Sequence, residues 1–251
     1  MIAEPAKTDF TFQTPLEKAR YVRRMFDAIA KRYDLMNRLM TLGRDQAWRR
    51  RTIQRAAVPP GGRVLDIATG TADLAIAALS AQPRKVVAAD FSLQMLDVAD
   101  RKLRKLDIDS QIVLAAADGL CLPFADNYFD AVVTAFALRN VGNLDIFLAE
   151  MLRVTRSGGR VVCLEIIQPR FPAFRKFFAW YFGRIVPKIG AWISGDSQAY
   201  SYLPHSVSIF ISPEELRGRM RRAGMREVGF EKLQLGTIAI HWGVKPENAV
   251  A

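Results

Sequence analysis

The stretch Val64-Leu65-Asp66-Ile67-Ala68-Thr69-Gly70-Thr71-Ala72-Asp73 decides how the rest of the chain is read. Its apolar run, acid, short loop and helical continuation describe a strand, a turn and a helix, the opening unit of a nucleotide-binding α/β fold. A loop built for pyrophosphate needs several glycines so that the backbone can close on the phosphates at a helix N-terminus. This loop has Gly70 alone, and Asp66 at the strand end repels a pyrophosphate while favouring the ammonium and, further off, the sulfonium of a cationic ligand. Asp90 closes a second apolar run, Val86-Val87-Ala88-Ala89, where a carboxylate can accept both hydroxyls of a ribose. Asp118 follows a third run, Ile112 to Ala117, where it can accept an adenine amino group. One acid after a strand is most often a turn former or helix cap. Three in order, each at a strand end, outline S-adenosylmethionine and disfavour NAD.

Working outward, strands are expected near 63 to 67, 85 to 90, 111 to 115, 129 to 135 and 159 to 167. Helices fall near 71 to 80, 92 to 105 and 143 to 154, the last stopped by Ser157-Gly158-Gly159. This alternation implies parallel pairing with right-handed crossovers. A helix near 213 to 223 and runs near 226 to 234 and 236 to 243 add an antiparallel hairpin at the edge. The expected fold is therefore α/β: a mostly parallel, seven-stranded, Rossmann-like sheet with helices on both faces, that of a class I S-adenosylmethionine-dependent methyltransferase. Upstream, Tyr21, Met25, Ile29 and Tyr33 recur at four-residue steps within a helical stretch from Pro15 to about Ala56, and Pro59-Pro60-Gly61-Gly62 ends it. The organisation read from this is an arm and helical cap over 1–58 and a methyltransferase domain over 59–251, with an insertion at about 168–210.

Half of the 251 residues are hydrophobic, enough for one sizeable core. Cys121 and Cys163 lie in apolar contexts, and with His205 and His241 they form no cluster at metal-ligand spacing, which argues against metal catalysis and a disulfide framework. Thirty-six basic against 25 acidic residues give a net charge of +11, favouring an anionic partner such as nucleic acid or a lipid surface. In the insertion, Phe171, Phe174, Phe177, Phe178, Trp180, Tyr181 and Phe182 are punctuated by Arg170, Arg175, Lys176, Arg184 and Lys188, with no acid from Ile166 to Gly195. Such a stretch suits an anionic membrane interface. It equally suits a lid whose rings pack on the sheet, and the two readings are compatible. Without a signal-peptide core or an apolar run near the ~18 residues of a spanning helix, the expectation is a cytoplasmic protein peripherally associated with the cytoplasmic membrane.

Three further motifs carry a specific resemblance. Met25-Phe26-Asp27-Ala28-Ile29-Ala30-Lys31-Arg32-Tyr33-Asp34-Leu35-Met36-Asn37, then Gly43 and Trp48-Arg49-Arg50, resembles the N-terminal signature of the quinone C-methyltransferases of menaquinone and ubiquinone biosynthesis. Phe136-Ala137-Leu138-Arg139-Asn140-Val141 is similar to that family's Phe-Gly-Leu-Arg-Asn-Val. Tyr200-Ser201-Tyr202-Leu203-Pro204-His205-Ser206 lies near its Tyr-x-Tyr-Leu-x-x-Ser segment, and the likeness runs from about 15 to 245. Ala68 and Ala72 stand where glycines are common in the family's cofactor loop, and Ala137 stands for the usual glycine before Leu138. The methyl of Ala72 is tolerated where φ is negative, though it narrows the approach to the methionine moiety.

The resemblance implies methyl transfer from S-adenosylmethionine to a ring carbon of a prenylated quinol, demethylmenaquinol to menaquinol, with benzoquinol methylation in ubiquinone biosynthesis as the alternative. Arg139 and Asn140 are then the catalytic candidates: a fixed guanidinium stabilises a developing phenolate, while its high pKa leaves the proton to a water or another group. Asn140 orients the quinol oxygen or caps the next helix. The cofactor set is Asp66, Thr69, Gly70, Asp90, Asp118, Gly119 and Tyr33, and the substrate set is Asn37, Tyr200, Tyr202, His205 and Ser206, with His205 a candidate general base. Further partners are other quinone-biosynthesis enzymes and a second copy in a homodimer. Two rivals stand beside this reading. One is an RNA methyltransferase, suggested by Arg49-Arg50-Arg51, Arg101 to Lys105 and Arg217 to Arg222, against which stand the greasy insertion and the lack of a recognisable RNA-binding module. The other is a membrane-surface scaffold that has lost catalysis, suggested by the two loop alanines.

Overall fold

The computed structural model describes residues 10, 12–169, 180, 181, 184 and 197–247, with no side chains over 197–201. The aromatic run 171–179, Phe182 and the side chain of Tyr200 lie outside this set. Strand β1 (Arg63–Ile67) sits in the middle of a seven-stranded sheet, with β2 (Lys85–Asp90) and β3 (Ile112–Ala116) on one side. On the other side come β4 (Phe129–Ala135), β5 (Thr155–Ile166), β7 (Ile238–Val244) and finally β6 (Arg226–Leu233). Strands β1 to β5 pair in parallel, while β7 is antiparallel to both β5 and β6. Its order β3-β2-β1-β4-β5-β7-β6 reverses direction beside β1, which puts the crevice for a ligand at the carboxyl ends of β1 and β4.

The central strands read as unbroken apolar runs because both faces are covered. On one face Val64, Val86, Val133 and Val162 meet Leu74 and Ala75 of α4 (Asp73–Ala78), Ala99 and Leu103 of α5 (Leu93–Lys105), and Trp48 and Ile53 of α3 (Asp45–Ala56). On the other, Leu65, Ile67, Val132 and Val161 meet Phe147, Leu148 and Met151 of α6 (Leu144–Val154). A further helix, α7, spans Ser197–Ile209, and Leu216 and Met220 of α8 (Pro213–Arg222) complete that second layer.

One boundary departs from expectation. Helix α6 ends at Val154 and β5 starts at once at Thr155, so Ser157-Gly158-Gly159 lies inside the strand instead of stopping the helix. Thr155 pairs with Phe129, and the register then shifts before Arg160 pairs with Ala131. This irregularity takes up the glycines: Gly158 has φ +72°, and a Cβ on Gly159 would lie 2.8 Å from the Asp130 carbonyl oxygen.

The stretch from 15 to 56 is three helices rather than one, α1 (Pro15–Ile29), α2 (Tyr33–Thr41) and α3, with Leu42 and Gly43 both left-handed at the second break. Val22, Met25, Ile29 and Met36 form their own buried cluster with Tyr202 of α7. What ties α1 and α2 to the sheet is polar. Ser92 Oγ, in the turn after β2, donates to Asp27 at 2.5 Å, and Thr71 Oγ1, in the turn after β1, donates to Asp34. Lys102 pairs with Asp34 at 2.6 Å and Asp73 at 2.7 Å, and Lys18 Nζ donates to the Arg139 and Val141 carbonyls at 3.0 Å each. Among the described residues no helix is long and apolar enough to cross a membrane.

Asp27 and Asp34 thus act as latches. Replacing both by alanine is expected to raise amide hydrogen exchange across 15–41 at least on the order of tenfold, from two lost hydrogen bonds and the lost Asp34–Lys102 ion pair, while β1 and β4 keep their protection. Unchanged exchange in α1 and α2 would show that apolar packing alone holds them.

Candidate active site

The turn after β1 alternates left-handed residues, with φ of +55° at Ala68, +58° at Gly70 and +68° at Ala72. The negative φ that would make Ala72 easy is therefore absent, and Ala68 shares the strain. Ala137, at φ −105°, carries none. Asp90 secures this turn: one carboxylate oxygen accepts Gly70 N–H at 2.7 Å and the other accepts Ser92 N–H at 2.8 Å. Burial raises the Asp90 carboxyl above its ordinary range, against those backbone donors.

Asp66 lies behind the loop instead of facing a ligand. It is fully buried, accepts Thr69 Oγ1 at 2.5 Å, and burial pushes its carboxyl up to about 7. Thr69 accordingly turns its hydroxyl away from the crevice. The crevice holds two adjoining cavities. The smaller, about 110 Å³, is lined by Ala68, Gly70, Asp90, Phe91, Asp118, Gly119 and Leu120. Gly119 is required there, since a Cβ would lie 2.4 Å from the buried Phe147 ring. The larger, about 520 Å³, is walled mostly by apolar side chains, among them Met25, Ile29, Met36, Met40, Trp48, Ile166 and Ile238.

Phe26, Tyr33, Phe136 and Asn140 line both cavities. Phe136, at the end of β4, has φ +59°, a strained conformation for a bulky residue. Its N–H donates to the Leu164 carbonyl at 2.8 Å. Its own carbonyl accepts Arg139 Nη1 at 2.6 Å and Asn140 Nδ2 at 3.3 Å, so the helical turn Leu138–Asn140 closes on one oxygen. Arg139 Nη1 also meets Glu165 Oε1 at 2.5 Å, both side chains buried, and Glu165 further accepts the backbone N–H groups of Arg139 and Ile166. Three buried polar atoms here have no protein partner: Arg139 Nε, Asn140 Oδ1 and Asn37 Nδ2. Tyr33 is raised by burial.

Tyr202 and Ser206 line the larger cavity with Arg139 and Asn37. Burial pushes the Tyr202 phenol up to about 12, and Ser206 Oγ donates to the Leu203 carbonyl at 2.9 Å. His205 lines neither cavity; its ring lies 5.3 Å from that of Phe10. Sequence reasoning passed over Glu165, Lys18, Phe26 and Phe91. Glu165 had a signal: an acid inside the apolar run Val161-Val162-Cys163-Leu164 of a central strand must be buried, and a buried carboxylate needs a cation. Phe26 and Phe91 had none beyond hydrophobicity, and Lys18, one of many cations in the chain, had none.

With this geometry in place, a family model described as the ubiE/COQ5 methyltransferase family matches residues 14–245. The chain belongs to the ubiE/COQ5 methyltransferase family. It is 45% identical over 232 residues to a demethylmenaquinone methyltransferase of Roseiflexus sp. (strain RS-1), covering 92% of this chain and 96% of that protein. It is also 45% identical to the ubiquinone/menaquinone biosynthesis C-methyltransferase UbiE of Desulfotalea psychrophila, covering 92% of each. Among solved structures, a SAM-dependent methyltransferase from Aquifex aeolicus superposes with TM-score 0.60 at 18% identity, covering 84% of this chain and 96% of that one. The [4+2]-cyclase SpnF superposes with TM-score 0.69 at 17% identity, covering 91% and 97%, so the fold by itself does not name a reaction.

The family member described here is an S-adenosylmethionine-dependent methyltransferase. The smaller cavity suits part of that cofactor: Asp90 lines it beside Gly70, Asp118 is exposed at its rim, and Gly119 leaves room beside Phe147.

Two predictions follow from the loop. Ala68→Gly removes a left-handed alanine at ~1–2 kcal/mol, less the ~0.4–1 kcal/mol of added unfolded-state freedom, and is expected to stabilise the methyltransferase by up to ~1.6 kcal/mol in urea denaturation. At Ala72 the loss of a fully buried methyl, ~0.8 kcal/mol, offsets that gain, so Ala72→Gly is expected to be near neutral. Equal effects at both positions would show that burial of the Ala72 methyl is not the deciding difference. The second concerns pH. Native Asp66 keeps its proton to about 7, whereas an unfolded aspartate releases it near ~3.9. The native state binds the extra proton in that window, so the contribution of Asp66 is greatest below it and falls as pH rises toward 7. The stability of wild type relative to Asp66→Asn should therefore decline from about pH 4 to 7; a flat difference would mean that Asp66 is ionised throughout.

Proposed function

We propose that the methyltransferase adds a methyl to a ring carbon of a prenylated quinol, converting demethylmenaquinol to menaquinol. One observation carries the reading: Arg139 and the unpartnered Asn140 Oδ1 face a large apolar cavity that shares a wall with the one lined by Gly70, Asp90 and Asp118. Bound S-adenosylmethionine supplies an electrophilic methyl on a sulfonium. The residues of the chain do the rest. Asn140 Oδ1 accepts the hydroxyl hydrogen of the quinol and fixes the ring's rotation. The Arg139 guanidinium, oriented by Glu165 and the Phe136 carbonyl, stabilises negative charge on that oxygen as the ring turns nucleophilic. Too basic to take a proton, it leaves the phenol and ring protons to water. The apolar walls built by Met25, Ile29 and Met36 exclude bulk water from the rest of the ring.

The names of both relatives support a quinone substrate, and that of the Roseiflexus protein supports the naphthoquinol over the benzoquinol. RNA is disfavoured by how the basic runs are used. Arg49 pairs with Asp45, Arg51 and Arg55 with Glu231, Lys102 with Asp34 and Asp73, Arg104 with Asp100, and Arg219 and Arg222 with Glu215. In this reading α1 and α2 belong to a cap, residues 1–58, over the methyltransferase domain 59–251, and the protein is cytoplasmic and works at the membrane surface where a prenylated substrate resides.

With reduced demethylmenaquinol and methyl-labelled cofactor, the label is expected on the quinol ring. Arg139→Ala should lower kcat about 100-fold or more, and Arg139→Lys, which keeps a cation against Glu165, should also lower kcat while calorimetric affinity for S-adenosylmethionine stays within about twofold. Glu165→Gln, which keeps size but weakens the hold on Arg139, should lower kcat less. Label in RNA, or undiminished turnover in Arg139→Ala, would sink the assignment.

A further inference from the structure

Leu42 is 87% exposed and Leu235 is 74% exposed, yet both also line the larger cavity. Each therefore stands at its mouth with one side to the interior and one to the outside. Both are left-handed, at φ +52° and +55°, and each is followed by a left-handed glycine, Gly43 or Gly236. Turn geometry favours glycine or asparagine at such positions, and exposure favours a polar side chain. Neither local structure nor packing accounts for leucine at both. The two tips come from separate parts of the chain and are held together by Arg44 Nη1 donating to Gln234 Oε1 at 2.9 Å.

The surface around the mouth continues the pattern. Leu35 and Leu39, 52% and 45% exposed, are one turn apart on an exposed face of α2, the helix that ends in Leu42. A single exposed leucine is ordinary, but two at the mouth of one apolar cavity, with two more exposed on the helix that leads to it, call for a partner. Its charge is one-sided. Lys31, Arg38 and Arg44 are exposed and make no ion pair among the described residues, whereas the acids of the same segment turn inward, Asp34 to Lys102 and Asp45 to Arg49. Apolar tips beside exposed cations match a leaflet with anionic headgroups, into which leucines insert while long basic side chains reach phosphates.

We infer that this rim is a bilayer-docking portal: Leu42 and Leu235 seat in an anionic leaflet, and the acceptor passes between them from lipid into the larger cavity. The passage rests on the proposed prenylated acceptor; the docking is measured without it.

The test is flotation of the full chain with phosphatidylcholine vesicles containing about 30% phosphatidylglycerol at moderate salt, with no acceptor present. Wild type is expected to float, and to lose most of its binding on pure phosphatidylcholine or in molar salt. Leu42→Asn with Leu235→Asn, conservative for left-handed turns, should weaken partition about tenfold, and Lys31→Gln with Arg38→Gln severalfold. Circular dichroism and thermal melting confirm that these exposed changes leave the fold intact. Equal flotation of the leucine variant, or none by wild type, overturns the portal. So does a wild-type dimer in light scattering that the leucine variant dissolves, because the rim then belongs to a second copy. Failure of the acceptor reading shows separately, as absence of turnover by wild type on prenylated quinol in detergent micelles.

Discussion

A guanidinium and a carboxylate, both out of water, hold the centre of this molecule. Arg139 and Glu165 meet between the ends of β4 and β5, where parallel register sets Ala135 beside Leu164 and so brings the next residue of β5 under the turn that follows β4. Neither group is tolerable there alone, since breaking a buried pair from one side generally costs about 3–5 kcal/mol. The pair therefore dictates the turn Leu138–Asn140, and with it the left-handed Phe136 whose carbonyl closes that turn. From these follow the wall between the cavities, the aim of Asn140 and the carbonyls on which Lys18 anchors α1.

A second level of organisation is carried by acids, each with a different environment. Asp90 is pinned by two backbone donors and secures a loop whose alanines resist its shape. Asp66 stands close behind that loop with its proton retained, so it adds a buried hydrogen-bond acceptor without adding a full charge at neutral pH. Asp27 and Asp34 reach from the N-terminal helices to hydroxyls on the turns after β2 and β1. The same residue type thus serves as clamp, neutral support and latch, and burial decides which.

Much of the fold was legible because it rests on local patterns. Apolar runs ended by Asp66, Asp90 and Asp118 mark the strand ends, and the intervening helical spacing implies parallel crossovers. The exceptions have one cause: a residue's role depended on a partner far away in sequence. Gly158 and Gly159 read as a helix stop until their pairing opposite Asp130 is known. The sequence does not show that the Thr69 hydroxyl lies on Asp66 or that the His205 ring lies against Phe10. The φ of Ala68 and Ala72 follows from the approach of the loop to Asp90, 20 residues after Gly70, and no propensity reports it. Within the site, Arg139 and Asn140 were legible through their motif, whereas Glu165 could be inferred from a charge within a central strand but not matched to its cation.

Phe26, Tyr33, Phe136 and Asn140 form a party wall, with one cavity on each side. A side chain in such a wall has no private ligand. Any change in its volume or tilt alters the room for donor and acceptor together, so the two specificities cannot drift independently along an evolutionary path. A lineage that altered its acceptor by remodelling this wall would have to re-tune its grip on the methyl donor in the same steps, and the freer route to a new acceptor is through the outer residues of the larger cavity, such as Met25, Met36 and Met40, which touch that cavity alone.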